Sequence, residues 1–110
     1  MNKILYIPDT FHLFIRVQAK DESLQDILLY LYETIAPTHK EEGCLEYKLF
    51  NEGNSIILQG KWSSQMALDM HLLLQFHLHL FENILPDLCE NISIQTFKEV
   101  EPPITSLSIS

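Results

Sequence analysis

Lys61-Trp62-Ser63-Ser64-Gln65-Met66-Ala67-Leu68-Asp69-Met70-His71 holds the change of pattern on which the fold turns. Before it the apolar residues alternate, and after it they recur at helical spacing. The only tryptophan of the chain closes the strand-like part, and a histidine stands inside the helical part. A serine side chain can accept a hydrogen bond from an orphan N–H of a first helical turn, so Ser63 or Ser64 is the expected N-cap. Strand end and helix start are then fixed together. A large aromatic and a titratable imidazole face one cavity from the two sides of the switch.

Upstream, residues 44–50 and 55–62 read as two strands joined by Asn51-Glu52-Gly53-Asn54, a hairpin signal. Pairing Phe50 with Ser55 sets Tyr47 opposite Leu58 and Leu45 opposite Gly60. Alternation then gives a core face of Leu45, Tyr47, Leu49, Ile56, Leu58, Gly60 and Trp62. The other face carries Cys44, Glu46, Lys48, Phe50, Ile57, Gln59 and Lys61.

Residues 11–20 alternate in the same way, with Leu13, Ile15, Val17 and Ala19 on one side. Asp21, Glu22 and Ser23 supply caps and acids for a helix whose buried stripe is Leu24, Ile27, Leu28, Leu31 and Ile35. Pro37 ends or kinks it, and Gly43 suits a left-handed position. The second helix is expected from Ser64 to about His79, with a short turn over residues 81–88 interrupted by Pro86. Residues 91–100 form a last strand, with Ile92, Ile94 and Thr96 on one side and Phe97 on the other. Residues 101–110 are a tail. The order is β-α-β-β-α-β, an α+β ferredoxin-like arrangement with an antiparallel sheet and helices on one face.

The chain of 110 residues is one domain by size, 46% hydrophobic and 20% charged, within the globular range. Seven Lys+Arg face fifteen Asp+Glu, a net charge of −8. Nucleic acid and anionic membranes require clustered cations, and here the cations are scattered singly, so neither is an expected partner. Cys44 and Cys89 have neither CxxC nor metal-like spacing and read as reduced thiols of a cytoplasmic protein. Residues 1–8 hold only a short apolar run, too brief for a signal or a membrane span.

Glu41-Glu42-Gly43-Cys44-Leu45-Glu46-Tyr47-Lys48-Leu49-Phe50, then Trp62, Ala67-Leu68 and His71, resemble the signature of the antibiotic biosynthesis monooxygenase family over residues 11–100. The resemblance implies a homodimeric ferredoxin-like α/β barrel, two sheets packed face to face, with a cavity between each sheet and its helices. Many members oxidise quinols or polycyclic phenols with O2 and no metal or flavin, so no cofactor is expected. Close relatives bind and degrade haem. The family's usual Glu two residues before the Trp is Gly60 here, and its missing side chain is expected to leave extra volume beside Trp62.

Cofactor-free oxygenation requires a substrate anion, a base to form it and a water-poor pocket. His71 has the intrinsic pKa of such a base. Trp62 offers an apolar wall, and Tyr47 a hydrogen bond to a phenolate or peroxide oxygen. These three are the candidate catalytic residues, and Gly60, Leu45, Leu58 and Leu68 the candidate substrate-binding ones. The plainer reading makes Trp62 and Tyr47 core aromatics and His71 a satisfied core histidine. His12, His77 and His79 read as partly exposed surface histidines. His77 and His79, two apart, point to different faces and cannot chelate one ion. Haem binding or degradation, and a dimeric binding module without turnover, remain the alternatives. The homodimer is expected to use the sheet face bearing Phe14, Phe50, Ile57 and Phe97, and the partner molecule to be a small aromatic.

Overall fold

Period-two alternation in the first segment becomes β1 (Phe11–Ala19), whose Leu13, Ile15, Val17 and Ala19 are all buried. A computed structural model of the chain describes residues 9–100. The N-terminal apolar run and the expected tail lie outside them. α1 (Leu24–Glu33) follows, with Ile27 and Leu31 buried on its inner face. Ser23 holds the N-cap position but makes no side-chain capping bond, and Glu22 takes the left-handed backbone, φ 71°.

The expected single helix to Ile35 is divided. α1 stops at Glu33, and α2 (Ile35–His39) starts after Thr34. Pro37 explains the place of the break: it has no N–H to give the Glu33 carbonyl, whereas the first turn of a new helix does not need one. Gly43 turns the chain with φ 85° into β2 (Cys44–Glu52).

β2 and β3 (Ser55–Trp62) form the expected hairpin in a different register. Glu52 faces Ser55 across a two-residue turn, Gly53-Asn54, with Gly53 at φ 59°. Phe50 therefore faces Ile57, and Tyr47 faces Gly60. The slip is two residues, an even number, so Tyr47, Leu49, Ile56, Leu58, Gly60 and Trp62 keep the core face. Leu45 does not. The register shifts between Cys44 and Glu46, and Leu45 is the extra residue of that irregularity, 57% exposed. The same shift turns Cys44, expected on the outer face, against the core.

β4 (Cys89–Lys98) completes an antiparallel sheet in the order β2-β3-β1-β4. Ile92, Ile94 and Thr96 pair with Val17, Ile15 and Leu13 on the core face, and Phe97 pairs with His12 on the other. This is the ferredoxin-like β-α-β-β-α-β fold, with its helices on one face of the sheet.

The second helical region is also divided. Ser64 caps α3 (Gln65–Leu72), its Oγ accepting from the Ala67 N–H at 3.1 Å. Leu74 is extended, and α4 (Gln75–His79) starts anew after it. An unbroken helix would carry Gln75 and His79 into the core stripe below Leu68 and Leu72. The break re-phases the chain so that Gln75 and His79 are exposed while His77 and Leu80 are buried. A π-helical turn (Leu80–Ile84) continues α4 into α5 (Leu85–Leu88), the Leu85 N–H reaching back five residues to the Leu80 carbonyl. Pro86, which has no N–H, sits in the first turn of α5.

Candidate active site

Gly43 is the hinge on which the site is built. Its carbonyl accepts from the Ser63 N–H at 2.8 Å, tying the turn before β2 to the turn after β3. A side chain there would stand 2.7 Å from Ala67 Cβ, so only glycine lets this turn lie on α3. Glu41, two residues earlier, is thereby brought over the last turn of α3. Nδ1 of His71 lies 2.9 Å from each Glu41 carboxylate oxygen.

The His71 side chain is wholly buried, and that of Glu41 keeps 17% of its surface in solvent. An ionised carboxylate only accepts hydrogen bonds, so Nδ1 is the protonated nitrogen and Nε2 carries the lone pair. Burial lowers the His71 pKa, opposed by the hydrogen bond and the charge of Glu41. Nε2 itself is buried and has no partner among the described residues.

Aromatic rings close around the imidazole. Trp62 lies against His71 with ring centroids 4.7 Å apart and planes at 38°. Tyr47 meets His71 edge-on at 5.6 Å and Trp62 at 6.1 Å. Phe76 adds a further edge at 6.2 Å. The three candidate catalytic residues are thus in mutual contact. The space between Trp62 and His71 is filled rather than open.

The Tyr47 hydroxyl is already engaged. It lies 3.3 Å from Thr34 Oγ1, whose own proton goes to the Leu31 carbonyl at 2.6 Å, so Tyr47 donates to Thr34. Burial raises its pKa to about 12, while the neighbouring Thr34 and Thr38 hydroxyls act the other way.

The candidate substrate-binding residues divide. Leu58 and Leu68 are fully buried in the core below the rings. Leu45 points away, for the reason given above. The extra volume expected at Gly60 is absent, because the Trp62 ring occupies it. A Cβ on Gly60 would lie 2.4 and 2.6 Å from two indole carbons and 3.2 Å from the Tyr47 ring. Gly60 is the floor on which Trp62 lies.

Two residues of the cluster were not legible as such. Glu41 belongs to the acidic-Gly-Cys motif, but only the folded turn reveals its pairing with His71. His77 is 5% exposed rather than a surface histidine. It stacks on Phe81 at 4.5 Å and 24°, and its centroid is 5.0 Å from that of His71. Burial, then the neighbouring His71, lowers its pKa to about 4. Six residues of continuous helix would separate His71 and His77 onto different faces; the break at Leu74 brings them together. His12 is partly buried, its Nε2 2.6 Å from a Glu99 carboxylate oxygen, and His79 is exposed.

Beside the Glu41–His71 pair opens a groove of about 510 Å³ between the turn at Gly43 and α3. Glu41, Glu42, Ser64, Met66, Met70 and Leu74 line it. A second hollow of about 280 Å³ lies on the outer sheet face among His12, Phe14, Glu46, Gln59, Lys61 and Phe97. Among the described residues no group of three or more His, Cys, Asp or Glu side chains is arranged to hold a metal ion, and no helix is long and apolar enough to cross a membrane.

The family model described as antibiotic biosynthesis monooxygenase matches residues 10–80, more than half of the chain. The chain belongs to the antibiotic biosynthesis monooxygenase family. That membership supports an oxidoreductase function of the monooxygenase type. A search of curated proteins finds no match. Among solved structures, a protein from Shewanella oneidensis is similar over 91% of this chain and 99% of its own, at 19% identity and a TM-score of 0.83. A protein from Mycobacterium tuberculosis is similar over 82% of this chain and 94% of its own, at 20% identity and a TM-score of 0.76. A Deinococcus radiodurans protein named after the same family covers 81% of this chain and 91% of its own, at 18% identity and a TM-score of 0.76. At these identities the likeness shows the fold.

Proposed function

We propose that the protein is a cofactor-independent monooxygenase that oxidises a small quinol or polycyclic phenol with O2. The observation that carries this reading is the buried His71, its Nδ1–H held by Glu41 and its Nε2 lone pair left without a partner. That is how an imidazole is prepared as a general base: the tautomer is fixed, and the imidazolium formed by proton transfer is stabilised by the carboxylate behind it. The phenolic proton passes to Nε2, and the resulting phenolate is electron-rich enough to reduce O2. Trp62, with Leu58 and Leu68 beneath the cluster, supplies the water-poor surroundings that protect such an intermediate. Tyr47, committed to Thr34, acts as a wall and not as the hydrogen-bond donor to substrate.

The rings are closed in this structure, so an aromatic nucleus enters only when they part. His71 rides on α3, and Phe76 and His77 ride on α4, with the extended Leu74 between them. Separation of α3 from α4 opens the cluster on the side of the apolar groove, where a flat aromatic docks first. The outer sheet face, with Phe50 and Phe97 half exposed beside Phe14 and Ile57, serves as the homodimer contact.

Oxygen uptake with a panel of hydroquinones and hydroxylated polycyclic aromatics tests the reading. Uptake that depends on the protein and saturates with one of them supports it. Binding of haem with a Soret shift, and no uptake with any phenol, replaces it with the haem-protein reading.

A further inference from the structure

Glu41 satisfies one nitrogen of His71, but four other polar atoms of the same cluster have no partner among the described residues: Trp62 Nε1, His71 Nε2 and both ring nitrogens of His77. The rings that carry them are neighbours, Trp62 at 4.7 Å and His77 at 5.0 Å from His71. Unsatisfied buried donors and acceptors are rare in folded proteins, and several on adjacent rings point to a ligand that satisfies them.

The set has a definite chemistry. An indole N–H only donates. Nε2 of His71 only accepts, because its proton is held on Nδ1 by Glu41. A neutral His77 has one N–H and one lone pair. The three neighbouring rings thus offer one acceptor and two donors. A hydroxyl uses all three at once: it gives its proton to the acceptor, and the oxygen left behind accepts from both donors. A carboxylate would meet the His71 lone pair with no proton to offer.

We propose that Trp62 Nε1–H and a ring N–H of His77 form an oxyanion-binding pair beside His71, so that the reacting group of the ligand is an acidic hydroxyl, a phenol or an enol. This rests on the reading of His71 as the base. In the step itself the O–H bond breaks, an N–H bond forms at His71 Nε2, and the electron pair stays on oxygen. The products are a phenolate and an imidazolium, the first held by Trp62 and His77, the second by Glu41. His77 suits the donor role because its stack on Phe81 fixes its plane, and because burial keeps it neutral.

para-Nitrophenol is the probe, since its phenolate is coloured and its phenol is not. The wild-type protein should bind it as the phenolate at a pH where the free molecule is mostly phenol. His77→Phe, which can still stack on Phe81, should bind the probe with its phenolate fraction reduced about tenfold, the scale of one hydrogen bond to a charged group. His77→Gln, which restores an N–H, should recover part of that loss. Histidine-selective nitrogen NMR of the wild type should show the His77 N–H signal move on probe addition, which keeps the test independent of the variants' folding. Phenolate binding by His77→Phe equal to wild type, with an unmoved His77 signal, overturns the oxyanion assignment and leaves the base reading intact. Wild-type protein that takes up the probe only as the phenol, or not at all, removes the base reading and the inference with it.

Discussion

Glu41 and His71 are thirty residues apart in the chain, yet both carboxylate oxygens of the first lie 2.9 Å from Nδ1 of the second. The contact joins the turn before β2 to the end of α3, and it fixes which imidazole nitrogen is free. Glu41→Gln keeps the shape but removes the charge that stabilises an imidazolium. Oxygen-dependent turnover should fall by roughly tenfold to a hundredfold, with the loss in kcat, since the charge acts after the proton has moved. A variant with unchanged kcat would show that Glu41 only packs against the ring.

His77 links stability to pH. Its folded pKa lies near 4, below the ordinary histidine value of 6.5, so between those values the unfolded chain binds more protons than the folded one. Stability is therefore full above that window and falls as the pH drops through it. His71, also lowered, adds in the same direction. Urea midpoints compared near pH 7 and near pH 5 should show a clear loss for the wild type and a smaller one for His77→Phe. Equal losses in the two proteins would place His77 in solvent.

Gly60→Ala should destabilise the protein by about 1–3 kcal/mol, the usual cost of forcing extra volume into a filled core. The indole ring stands where the new methyl must go. Trp62→Leu in the same chain should recover part of the loss, and a double-mutant cycle by urea denaturation measures the coupling. If Gly60→Ala is neutral, Trp62 moves freely and the cluster is looser than the ring distances imply.

Sheet parity was legible in the sequence because period-two alternation survives any even slip of register. That is why Tyr47, Leu58 and Trp62 reached the core although the hairpin pairs two residues away from the expected register. Leu45 was not legible, since a single extra residue in β2 reverses the facing of what precedes it. The contact of His71 with His77 was hidden for a related reason. Periodicity assumes an unbroken helix, and Leu74 leaves it. Gly60 read as a gap because a missing side chain suggests space, whereas the neighbouring indole folds over it. The family signature found the ring cluster but not the closure of its interior.

The proposed homodimer uses the outer sheet face. Phe97 and Phe50, 50% and 47% exposed, flank a sheet whose opposite face is covered by helices. Sedimentation should find a dimer at micromolar concentration, and Phe50→Lys with Phe97→Lys should shift it to monomer without loss of secondary structure. A wild-type monomer under those conditions would contradict this use of the face.

The proposed chemistry turns on the proton acceptor, and His71→Ala tests it most directly. With a phenolic substrate that supports oxygen uptake by the wild type, initial rates should be measured for both proteins across a range of pH, with circular dichroism confirming the fold of the variant. Loss of the base should lower the rate by ~10²–10⁴-fold, the usual contribution of a general base, with partial recovery for the variant at high pH, where the substrate ionises on its own. A variant that keeps the wild-type rate and pH profile would contradict it.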